Sequence, residues 1–544
     1  MRRLLTGATI WAGAGCVPRP GWLLVDGDRI SEVGDAGDSV PEADEVVEAS
    51  GRHILPGFVD VHSHLTVAAW MPRGGDGAAW RGLGDAVDGV RRVASAAPDA
   101  PWLVFWNVSM HAWPEGRLPT AEELDAAAPG RRVLICGIDL HRGVISRAAF
   151  EDLGLAATRP GQLAGDLGRD LRGRPTGELW EAAFGSALCR AVADMCAHLD
   201  DAGVEEALHA EAGRHLAYGI THAHDPYVSP SMHERLLRLR SITPLRLSWA
   251  TGSSSGMLTA PDGPATAPTG MYGDAGREVK IFLDGADRCA LRLPVHALPG
   301  LVGGTAREAW RRRAAGPLRE GLRRRVTLRG TQIYLPYLRF GDGELTVLLA
   351  AYAEEGFRLR LHALGNLAAD QAARALAAAG VPAGAATIDH LTALDRRTAD
   401  LVAASGAYAS FQPGFLPRFG PQFITTGVDR HLVILGGRLL TASGVPLVLS
   451  SDHPCGPLDP LQNLRTAVSR DLGDGRILQP EQSLTRSEAV RAAALEAARS
   501  LGAVGSGGLS PGQVADLAIS GGDPFDEATR IVETWVAGER VWRM

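Results

Sequence analysis

The sequence has no closely spaced cysteine pair: its six cysteines stand singly, at positions 16, 136, 189, 196, 289 and 455 of 544 residues. That spacing excludes a zinc ribbon and a redox dithiol, and a reducing cytoplasm is its simplest setting. Nor is there a run of about 18 uninterrupted apolar residues, so no membrane-spanning helix is expected. The start, Met1-Arg2-Arg3-Leu4-Leu5, is basic and then apolar like a secretory leader, but Thr6, Gly7 and Thr9 interrupt the run. Basic tracts are missing too. The formal charge of −7 is spread along the chain, which leaves no electrostatic footprint for a nucleic-acid partner.

What is present is the composition of an ordinary globular protein, 45% hydrophobic and 22% charged. The length suits two to four domains, or one barrel carrying insertions. Residues 1–56 hold short alternating segments around Gly/Asp turns, such as Gly21–Ile30, and residues 505–544 show the same pattern. Isolated hairpins are marginal in water, so the two ends are expected to pair into one discontinuous β-sandwich domain.

Between them, short apolar runs alternate with Ala/Leu/Arg helices, the pattern of an α/β fold with buried parallel strands. Eight runs stand out: Gly57–His62, Ile220–His224, Leu245–Ala250, Val279–Asp284, Arg358–His362, Ala386–His390, Ala407–Phe411 and Pro446–Ser451. They predict a (β/α)8 TIM-like barrel over 57–504, with a subdomain inserted after the first strand at about 70–215. That subdomain has strands of its own, Leu103–Val108 and Val133–Ile138. An open doubly wound sheet is the competing fold.

Chemistry gathers at the ends of the runs. The segment Leu55-Pro56-Gly57-Phe58-Val59-Asp60-Val61-His62-Ser63-His64 closes the first. Side chains at i and i+2 on a strand share a face, so His62 and His64 can converge on one ion. A lone H-x-H is more often an ordinary pair; its place at the carboxyl end of a barrel strand favours the metal reading. Lys280 lies amid residues expected to be buried and needs either a carboxylate partner, Asp284 or Asp287, or a depressed pKa. His362, His390 and Asp452 end three later runs. Taken alone, each histidine is more often a hydrogen-bonded core residue than a ligand, and the acid more often a helix cap; their recurrence at strand ends favours the site.

This order, H-x-H then Lys, His, His and Asp on successive strands, resembles the amidohydrolase superfamily. More narrowly it is similar to the family 3 branch, which includes N-substituted formamide deformylase-like proteins. Supporting segments are Leu55–His64, Trp113–Thr120, Lys280–Gly285, Leu361–Gly365, Ser410–Pro413, Leu449–Pro454 and Gly507–Leu517. The resemblance implies a divalent metal, zinc above all, as one or two ions. His62 and His64 would hold the first, His362 and His390 the second, with Lys280 bridging as a carbamate formed with CO2. Asp452 would ligate the first ion and act as general base toward water. Its implied reaction is cleavage of an amide-type C–N bond in a small molecule.

Two departures leave the substrate open. Where many relatives continue the lysine segment with Gly-Ser-Leu-Gly-Ser-Arg, this chain has Gly285-Ala286-Asp287-Arg288-Cys289-Ala290, and Gly365-Asn366 stands where Gly-Asp is common. Asp139, His141 and His224 are weaker candidates for lining the substrate pocket, the last within a second H-x-H at His222–His224. Gly and Pro over 251–273 suggest a lid loop, and the arginines of 307–329 a solvated helical face rather than an anion site. Hydrolytic deamination of a ring is the second functional reading, and a barrel that binds without catalysis the third. Homo-oligomer formation stays open.

Overall fold

A computed structural model describes residues 1–13, 15–110, 113–155, 166–170, 172–229, 232–252, 277–286, 288–312, 318 and 326–544. Residues 253–273 of the segment read as a lid, Asp287 and most of the arginine-rich stretch therefore lie outside the described residues.

All eight expected runs form strands of one sheet. In chain order they are Phe58–Asp60, Ile220–Val228, Arg246–Thr251, Glu278–Phe282, Arg358–Gly365, Ala386–Leu394, Tyr408–Phe411 and Leu447–Leu449. Each pairs in parallel with its predecessor. The eighth returns to the first: Asp452 N–H donates to His62 C=O at 2.7 Å, and His64 N–H donates to His453 C=O at 2.7 Å. This seam closes the (β/α)8 barrel and excludes the open sheet. Because helices cover the outside, the strands are buried on both faces, which is why they read as continuous apolar runs; all nine residues of Ala386–Leu394 are buried.

Between the first and second strands the chain builds a separate sheet of six strands, in which Leu103–Val108 and Val133–Gly137 pair in parallel and Arg142–Ile145 lies between Val133–Gly137 and Pro175–Trp180. This insertion leads into the helix Glu181–His198 and the helix Asp201–Ala217, the latter N-capped by Asp200. The two ends of the chain share another sheet, ordered Glu539–Arg543, Ile531–Val536, Leu517–Ser520, His53–Pro56, Arg2–Ala12, Val17–Asp26 and Arg29–Asp35. The turn from Asp26 to Arg29 is the expected Gly-Asp pair, with Gly27 at φ +61°, where a side chain would be strained.

Candidate metal centre

The barrel places its histidines and one aspartate at the carboxyl end of the strands. His62 Nε2 and His64 Nε2 each lie 3.3 Å from Asp452 Oδ1, and ligand atoms of the three buried residues all fall within 4.8 Å of one another. The ring of His390 is 5.0 Å from that of His62 and 4.5 Å from that of His362. Backbone strain holds two of these groups in place. His390 has φ +77° and Asp452 φ +51°, positions a side chain adopts only when its surroundings impose them. Asp452 caps no helix; the helix Pro460–Ser469 takes its N-cap from Asp459.

Lys280 is the only lysine in the chain, and it is 1% exposed. Its partner differs from the expected Asp284 or Asp287: Nζ donates to Asp389 Oδ2, two strands away. Asp284 is engaged elsewhere, accepting from the backbone N–H groups of Ala290, Leu364 and Gly365 at 2.9, 2.9 and 3.0 Å. Asp389 also accepts from Arg360 Nη1 at 2.8 Å, and Arg360 Nε reaches Glu278 Oε1 at 2.7 Å. A lysine and an arginine thus share the interior with two acids, as buried charges must. Asp389, Arg360 and Glu278 were not anticipated from sequence, although charged residues inside strands with apolar neighbours carry the same warning as Lys280. Gln412 was another omission: its Oε1 lies 2.9 Å from His390 Nδ1 and fixes that ring.

Electrostatics favour ligation. Burial pushes His62 down to about 4 and His390 to about 3, and His362 well below its ordinary value, so all three offer neutral imidazole. Burial alone would push the Asp452 carboxyl up, but interaction with the facing imidazoles of His62, His64 and His390 outweighs it and holds the group well below the carboxylate range. Asp452 Oδ1, His64 Nδ1 and His362 Nε2 are buried without a hydrogen-bond partner. An unsatisfied buried polar atom costs about 1–3 kcal/mol. A cation among these nitrogen and oxygen donors would remove that cost, and the donor set fits a divalent ion.

A pocket of about 820 Å3, including its open mouth, leads to His362, His390 and Asp452. Its walls are apolar at Met110, Leu118, Ile138, Phe415, Phe419 and Phe423, and both Asp139 and His141 line it. His224 is not among its lining residues. That ring faces Ser248 Oγ at 3.0 Å and Glu278 Oε2 at 3.6 Å. Glu181, also unanticipated, holds His141: its Oε2 is 2.8 Å from His141 Nδ1.

A closed parallel barrel with imidazoles and a carboxylate gathered at the carboxyl ends of its strands is the framework of a metal-dependent hydrolase. The sequence model of the Amidohydrolase family matches residues 45–542, and the chain belongs to that family. It is a hydrolase acting on carbon–nitrogen bonds other than peptide bonds. The chain is 28% identical to the N-substituted formamide deformylase of Arthrobacter pascens, covering 95% of this chain and 94% of that protein. It is 25% identical to the putative amidohydrolase YtcJ of Bacillus subtilis, over 89% and 87% of the two chains. Among solved structures, a metal-dependent hydrolase from Pyrococcus horikoshii shares the fold with a TM-score of 0.65 at 18% identity, covering 96% of this chain and 98% of that one.

Proposed function

We propose that this hydrolase cleaves an amide-type C–N bond of a small molecule, with Asp452 as the proton-transfer group. The residues that would hold the first ion, which we take to be zinc, are His62, His64 and Asp452. His362 and His390 would hold a second, and Lys280, carboxylated on Nζ, would lie between them. A divalent ion there lowers the pKa of water to about 7 and polarises a carbonyl. Asp452 accepts the proton from the attacking water and delivers it to the departing nitrogen, so the amine leaves neutral. Phe415, Phe419 and Phe423 give the organic substituent an apolar wall.

The observation that carries this reading is Lys280. In a chain whose other basic side chains are all arginine or histidine, one lysine persists at a fully buried position beside the histidines. Arginine cannot form a carbamate, so carboxylation is a chemical reason for a lysine there. It also weighs against ring deamination at a single ion, which needs no such residue, and the complete donor set weighs against a barrel that only binds. The closeness to a formamide deformylase supports an amide over other C–N bonds. Six free cysteines support residence in a reducing cytoplasm.

Elemental analysis, native mass measurement and a panel of amides and ring amines test the proposal together. One or two divalent ions, a mass increment of one CO2 that is absent from Lys280→Ala, and turnover of amides are expected. Metal-free protein that turns over only ring amines would overturn it.

A further inference from the structure

The inserted subdomain supplies part of the wall of the barrel's pocket, and among the side chains it brings is a histidine with its own carboxylate. His141 lies at the start of the strand Arg142–Ile145, lines the pocket, and sets its ring 5.0 Å from that of His362. Its Nδ1 is 2.8 Å from Glu181 Oε2, while Glu181 N–H donates to the His141 carbonyl at 2.7 Å. Side chain and backbone are therefore tied reciprocally. Glu181 is built for this contact: it is 4% exposed, its backbone sits at φ +45°, and its carboxylate is 3.6 Å from Arg339 Nη2. Gly285, just after the strand that carries Lys280, makes room for it; a Cβ there would fall 1.9 Å from Glu181 Oε1. Among the described residues His141 Nε2 has no hydrogen-bond partner, and it borders the cavity rather than the packed interior.

We propose that His141 is a catalytic residue of the insertion, whose Nε2–H donates to the substrate's carbonyl oxygen as that oxygen gains charge, and that Glu181 is its positioning residue. The inference rests on the amide hydrolysis proposed above. Attack of the water oxygen forms a bond to the carbonyl carbon, and the π pair moves onto the carbonyl oxygen. The water's proton passes to Asp452, and none passes to or from His141 in this step. The oxygen becomes an anion and accepts from His141 Nε2–H, while the Glu181 carboxylate at Nδ1 holds the ring in place. The donor is thus aimed before the charge develops, and a preorganised donor is the effective kind. The barrel would supply the metal and the proton carrier, and the insertion the electrophilic donor.

The test uses metal-loaded full-length enzyme, with methylphosphonate as a tetrahedral oxyanion probe alongside the best amide of the panel. His141→Gln should retain full metal content and the wild-type melting temperature, bind methylphosphonate at least tenfold more weakly by calorimetry, and lose about 10²–10³-fold in kcat. Glu181→Gln keeps the shape and withdraws the charge; kcat should fall about tenfold with KM within twofold. If the wild type hydrolyses no amide, the reaction proposed above fails, and the probe still decides the role of His141. Unchanged methylphosphonate affinity in His141→Gln overturns the inference, as does loss of metal from that variant. Should His141→Gln not fold, an unchanged kcat and unchanged probe affinity in Glu181→Gln overturn it.

Discussion

Lys280 and Asp389 form an ion pair from which water is excluded, both side chains being 0% exposed, although they stand on the fourth and sixth barrel strands. Asp389 serves Arg360 at the same time, at 2.8 Å. Removing the shared anion would leave Lys280 buried and unpaired and Arg360 with Glu278 alone. Asp389→Asn should therefore destabilise the metal-free protein by about 3–5 kcal/mol, read from the urea midpoint. A loss under about 1 kcal/mol would mean that Lys280 has another counter-charge.

His62 is expected to hold metal, not merely to pack. In His62→Ala, bound metal and turnover should fall together while circular dichroism stays that of the wild type. Full occupancy with normal turnover would remove His62 from the site.

Asp452→Asn keeps the size of the side chain and withdraws the base. Turnover should drop roughly 10²–10⁴-fold, with the melting temperature little changed, because Asp452 caps no helix. Near-normal turnover on a confirmed substrate would end its catalytic assignment.

The buried histidines make stability depend on pH with a definite sign. Burial pushes His62, His215, His222 and His233 down to about 4 and His390 to about 3. In the unfolded chain they take up protons near 6.5, so between about 4 and 6.5 the unfolded state binds more, and stability falls as pH drops through that window. Burial raises Asp60 and Asp166 to about 6 and Asp284 to about 7. These work in the opposite direction but are fewer than the histidines. Each uncompensated histidine contributes about 1.4 kcal/mol per pH unit. Urea unfolding of the metal-free protein should show a midpoint that declines steadily from pH 6.5 to 4.5; a flat profile would contradict the balance.

The shared terminal sheet motivates a further expectation, that residues 1–56 and 505–544 act as one unit. His53–Pro56 pairs with Leu517–Ser520, and Arg3 reaches Glu539 at 2.9 Å. Amide exchange of these two regions should slow and quicken together as denaturant rises. Independent exchange of the two ends would show separate units.

The sequence alone determined the barrel strands and the set of polar residues at their ends. The reason is local: a parallel strand buried on both faces must be a short apolar run, and a histidine or aspartate that closes one interrupts the pattern visibly. The His62-x-His64 spacing needs only the alternation of a strand to place both rings together. Relations across strands were decided by the tertiary structure. Lys280 lies within reach of several acids along the chain, and only the register of the fourth, fifth and sixth strands selects Asp389 over Asp284, whose carboxylate is already occupied by three backbone N–H groups. The second H-x-H illustrates the same limit. His224 has the spacing of a ligand, but its strand aims it at Ser248 and Glu278. Glu181 follows His141 by 40 residues, with the strands Arg142–Ile145, Leu167–Arg169 and Pro175–Trp180 between them. No periodicity links such a pair, because a contact between separate elements depends on how they pack, and that is fixed by the sum of many distant burials rather than by any local spacing.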